Sequence, residues 1–132
     1  MDQFLKFSPE ILLLVFLIIT FLQSGMDKLI SWKGNLSWLR GHFADSPLKN
    51  QVPLLLGVIT ITEIAAAVFC SLGVFQLLNS GERTWSLYGA IISCVALLML
   101  LFGQRMAKDY DGARTIVIYF IPAIFLVYLL QG

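Results

Sequence analysis

An all-α membrane protein is the predicted fold class, on three observations: 58% of the 132 residues are hydrophobic, 13% are charged, and the apolar residues gather in four long runs. Soluble domains carry about 45–50% apolar and about 25% charged residues, so this chain has roughly half the charge needed to coat a water-facing surface. Its mean hydropathy is +0.84. Nine Lys plus Arg against eight Asp plus Glu leave a net charge of +1, too balanced to mark a binder of nucleic acid. A soluble enzyme, a DNA-binding module and a disordered tail are thereby excluded. What remains is a single domain over residues 1–132, a four-transmembrane-helix bundle with an interfacial amphipathic helix in its first loop.

The four spans follow from runs long enough to cross about 30 Å of hydrocarbon at about 1.5 Å per residue. The first covers 9–26, with an unbroken apolar core over 11–20 and Pro9 placed at a first helical turn. The second, 52–78, is the longest. The third covers 85–103, and the fourth, 115–130, carries Pro122, expected to kink it. Helices are expected throughout, because a closed barrel would need alternating ten-residue strands, and these runs do not alternate. A cleaved signal peptide does not fit the first run: Asp2, Lys6 and Glu10 flank it and no small-x-small site follows.

The first loop is long for so short a chain. Over about 31–47, Leu36, Leu39 and Phe43 recur at helical spacing beside Lys33, Arg40 and His42. This pattern predicts a helix lying in the membrane interface and ending at Ser46-Pro47, with Lys28, Trp32, Trp38 and Arg40 as interfacial anchors. A packed loop that caps the bundle is the plainer alternative. Seven of the nine Lys and Arg fall in the first and third loops, which by the positive-inside tendency puts those loops in the cytoplasm and both termini outside, in the periplasm of a bacterial inner membrane.

Among residues able to carry chemistry, Glu63 stands out. Eleven residues into the second span, it is expected about 16 Å deep, where a carboxylate costs about 2.5–3.5 kcal/mol unless it faces the bundle interior with a partner. It is a candidate for handling protons or binding a headgroup, or else an interhelical pin. Thr20 and Gln23 on the first span, Ser93 on the third and Tyr119 on the fourth are the expected companions in one polar cavity. Gly89 and Ser93 form a small-xxx-small pair suited to close helix packing. Cys70 and Cys94 sit singly in different spans and read as small buried hydrophobes rather than a redox pair. With one histidine and no Cys/His cluster, no metal site is expected; Asp109 and Asp111 begin like a calcium loop, but Ala113 stands where a third ligand is needed. Gln104, Arg105, Lys108, Asp109 and Tyr110 crowd the end of the third span, as ligand-gripping candidates or as a snorkelling anchor, with Asp111-Gly112 expected to make the turn.

Three segments together resemble the DoxX family of small bacterial membrane proteins: Phe21-Leu22-Gln23-Ser24-Gly25-Met26-Asp27-Lys28-Leu29, Thr62-Glu63-Ile64-Ala65, and the stretch from Gly103 to Ala113. The last is similar to a Bacteroidota-type branch. The resemblance covers nearly the whole chain and implies association with membrane redox complexes. It supplies no flavin or metal site, so the cofactor it implies is a bound quinone or lipid, and the partners are membrane lipid and a protein complex or a second copy of the chain. No catalytic motif of its own is present. Three functions are thus in view: a quinone-linked or redox-associated subunit; a noncatalytic structural or assembly subunit of a larger complex; and a proton-coupled small-solute carrier, which four short spans without an internal repeat disfavour.

Overall fold

The computed structural model describes residues 2–131. A short helix, α1 (Asp2–Lys6), leads into α2 (Ser8–Ile30), followed by α3 (Trp32–His42), a 3-10 turn at Lys49–Gln51, α4 (Val52–Asn79), α5 (Thr84–Met106) and α6 (Tyr110–Gln131). Four of these, α2, α4, α5 and α6, are long and apolar enough to span a membrane. Spatial order follows chain order: α2 packs on α4, α4 on α5 and α5 on α6, with a lighter return contact of α6 on α2. All-α architecture, four spans and a helix in the first loop agree with the sequence reading.

Boundaries move in instructive ways. α2 continues four residues past the expected end at residue 26, because Asp27 and Lys28 extend the helix into the polar zone. α6 starts at Tyr110, five residues before its apolar run. Asp109 caps it, accepting the Gly112 N–H at Oδ1 (3.0 Å). The corner therefore lies at Ala107–Asp109 rather than at Asp111-Gly112, and Lys108 takes the left-handed backbone conformation there (φ 62°). α3 stops at His42, before Ser46-Pro47, and turns lead on to α4. Pro122 lies inside α6 without ending it.

The core is a column of side chains at the bundle axis, including Leu14, Leu17 and Phe21 of α2, Leu77 of α4, Leu97 of α5 and Leu126 of α6. Outward positions such as Ile61, Phe75 and Tyr128 are large and exposed, as they must be when lipid is the solvent. The α4–α5 seam is the tightest. A Cβ on Gly73 would stand 2.6 Å from Ser86 Cα, and one on Gly89 would stand 2.7 Å from the Cys70 N. Small residues thus bring two backbones together, as the Gly89/Ser93 pair predicts. Both cysteines are free and buried within this packing. At the opposite end from α3, Gln76 ties the α4–α5 connection: its Oε1 accepts the Trp85 N–H (3.0 Å), and Gly81 uses a positive φ (75°) to make the turn.

The helix register shapes the site. Gly25 packs on Ile64, only five residues before α2 ends at Ile30. Glu63, eleven residues into α4, consequently stands level with the last two turns of α2. Beyond that level α4 and α5 run on without α2, and the chain folds α3 back over the space left between them.

Candidate functional site

That space is a cavity of about 420 Å³, within the range of small-molecule sites. Its roof is Trp38, Leu39, His42 and Phe43; its walls are the first turns of α4, from Val52 to Ile59, and the last turns of α5, from Val95 to Gln104. The lining is almost wholly apolar. Lys28, His42 and Gln104 are the residues that bring side-chain hydrogen-bonding groups of high polarity to it.

Lys28 is the basis of the site's electrostatics. Its Nζ lies 2.8 Å from Glu63 Oε1 and donates to Ser24 Oγ at 2.6 Å. Glu63 is 1% exposed, and apart from this ion pair Oε1 has no hydrogen-bond partner among the described residues. A carboxylate in apolar surroundings needs such a counter-charge. Expected as an interfacial anchor, Lys28 has a side chain that is 18% exposed and turns from the end of α2 toward Glu63. The sequence puts Glu63 in the interior with a partner but does not single out Lys28, because a lysine just past the apolar run has the pattern of an interfacial anchor.

His42 makes the second polar group. Its Nε2 is 3.3 Å from Gln104 Oε1 and 3.5 Å from Asp109 Oδ2. Trp38 stacks on the ring at 4.6 Å and Phe43 meets it edge-on at 5.3 Å. Trp38 and His42 stand at i and i+4 on α3, so the two rings lie on one face of the helix, with Trp38 on the outer side of the stack. The histidine ties α3 to the α5–α6 corner. It was legible as a lone histidine on an amphipathic stretch, but nothing in that stretch signals a contact 62 residues away.

The five side chains expected to share a cavity are dispersed. Gln23 points outward. The Thr20 hydroxyl donates to Phe16 O (2.8 Å), and Tyr119 packs on Phe16 with ring centroids 6.0 Å apart. Ser93 donates to Gly89 O (2.8 Å) and lies 3.8 Å from Cys70 Sγ. Each hydroxyl of Thr20 and Ser93 is satisfied by the carbonyl one turn back in its own helix, so neither reaches Glu63. Of the third-loop group, Gln104 lines the cavity and Asp109 faces His42, whereas Arg105, Lys108 and Tyr110 are exposed. Arg105 lies over the Tyr110 ring at 5.1 Å. Among the anchors, Arg40 is exposed, Trp38 is exposed on the side away from His42, and Trp32 approaches Gly57 of α4. No group of three or more metal-ligating side chains occurs among the described residues.

The arrangement can do one thing well. It can offer hydrogen-bond donors at Lys28 and at Gln104 to the polar groups of a mostly apolar molecule whose remainder lies among leucine, valine and phenylalanine side chains. Compared with protein-family models, curated proteins and solved structures, the chain matches none.

Proposed function

We propose that the protein is a redox-associated subunit of a bacterial inner-membrane complex, DoxX-like in type, that holds a quinone in the cavity beneath α3. The observation that carries this reading is the cavity itself: about 420 Å³ of apolar space at one end of the bundle, with donors from Lys28 and Gln104 at its wall. A quinone ring is flat, apolar and bears hydrogen-bond-accepting carbonyls, and its isoprenoid tail is at home in lipid. Lys28 and Gln104 replace Glu63 as the groups that meet the headgroup; Glu63 holds Lys28 in place. On this reading electrons reach the quinone from a partner subunit. The loop charges support a cytoplasmic position for α3 and the α5–α6 corner, with both termini in the periplasm.

Native mass spectrometry of the tagged protein, released gently from its own membrane, tests this. Quinone and an oxidoreductase chain retained at fixed stoichiometry, with quinone lost from Lys28→Met, is the expected result. A stable complex with a non-redox assembly and no quinone would favour the noncatalytic subunit instead.

A further inference from the structure

A lysine in an apolar pocket ordinarily attracts anions: fatty carboxylates, phosphates, acidic lipid headgroups. Here the charge is already cancelled. Glu63 Oε1 sits 2.8 Å from Nζ, is closed off from solvent, and moves only if the α2–α4 packing moves. An ammonium has three protons to donate. One goes to Ser24 Oγ and one faces Glu63, which leaves donor capacity at the cavity wall that Lys28 lines. An incoming anion at that proton would bring a second negative charge close to Glu63 in a low-dielectric setting, where repulsion between the two offsets the attraction to Lys28. An uncharged acceptor oxygen takes the same proton and adds no charge.

The rest of the lining has the same character. His42, the other titratable side chain among the described lining residues, faces Asp109 Oδ2 at 3.5 Å, so it too stands opposite an acid. With Gln104 Oε1 turned toward His42, the amide NH2 of Gln104 is left as a neutral donor. Both titratable groups at the cavity thus stand opposite an acid, and the remaining donors of Lys28 and Gln104 suit a carbonyl.

Resting on the cavity being the ligand site, we infer that it selects uncharged amphiphiles through an acceptor oxygen at Lys28 and rejects anionic ones, and that Glu63 is the residue that sets this selectivity. Glu63 is a positioning residue: it touches the ammonium, not the ligand.

The inference is tested with the full-length protein in nanodiscs of zwitterionic phosphatidylcholine, by saturable binding of two radiolabelled probes, a long-chain methyl ketone and an alkyl sulfonate of equal length. The wild-type chain is expected to bind the ketone at least about tenfold more tightly than the sulfonate. Glu63→Gln leaves Lys28 as an unopposed cation and is expected to reverse that order. The doubly neutral Lys28→Met/Glu63→Gln protein should lose about tenfold in ketone affinity without gaining the sulfonate. A merely structural Glu63 would weaken both probes together. Wild-type preference for the sulfonate, or a folded Glu63→Gln that keeps the wild-type order, overturns the inference and leaves the cavity standing as a ligand site. Should Glu63→Gln not fold, the wild-type order alone decides. Saturable binding of neither probe overturns the cavity reading and the inference with it.

Discussion

Lys28 has two acceptors within 2.8 Å, Ser24 Oγ and Glu63 Oε1, and this single side chain explains how a carboxylate is kept inside the bundle. Removing one member of a buried pair strands the other, at a cost of about 3–5 kcal/mol, whereas removing both together costs less. Lys28→Met is therefore expected to lower stability by about 3 kcal/mol, and adding Glu63→Gln to recover a good part of it. Thermal denaturation of the three variants in one detergent, taken as a double-mutant cycle, measures the coupling; strictly additive losses would mean that the pair does not form. Glu63 was legible in the sequence because a charge in an apolar run must face inward. Lys28 was not, because a lysine near a helix end snorkels outward as readily as it turns in, and only the register of α2 against α4 settles the direction.

At the scale of the helix, glycines separate two kinds of contact. Gly73 and Gly89 meet the backbone of the facing helix, at Ser86 Cα and Cys70 N, whereas Gly25 meets the end of the Ile64 side chain. Backbone cannot step aside and an isoleucine methyl can. Gly73→Ala and Gly89→Ala are each expected to cost about 1–3 kcal/mol by forcing α4 and α5 apart, and Gly25→Ala clearly less. Comparing the three melting temperatures checks this, and equal losses at Gly25 and Gly73 would contradict it. The spans were legible from hydropathy alone, and so was the small-residue seam at Gly89. The end of α3 at His42 and the corner at Lys108 were not. His42 at the end of α3 is held by tertiary contacts with Gln104 and Asp109 that no local pattern encodes, whereas the corner at Lys108 follows from the local cap of Asp109 on the Gly112 N–H, a signal that competes with Asp111-Gly112 as a turn.

For the whole molecule, four antiparallel spans put the two termini at one end and α3 with the α5–α6 corner at the other. Seven Lys and Arg belong to the second end and two to the first. A periplasmic reporter enzyme fused after Gly132 is expected to be active, and the same reporter placed at Asp45 inactive; the opposite pattern would invert the proposed orientation and put the cavity's mouth in the periplasm. Composition was enough to read the bundle, but the cavity was invisible to it. It exists because α2 stops level with Ile59–Glu63 while α4 and α5 continue, a difference in helix register rather than in residue type.

The chain order of the helices also bears on how the protein enters the bilayer. Lys28 and Glu63 belong to consecutive spans, α2 and α4, and they face each other across the contact between those spans. A lone glutamate presented to the translocon is unfavourable by about 2.5–3.5 kcal/mol. Here the compensating ammonium lies on the span that precedes α4 in the chain, so the α2–α4 hairpin contains both members of the pair and needs neither α5 nor α6 to bring them together.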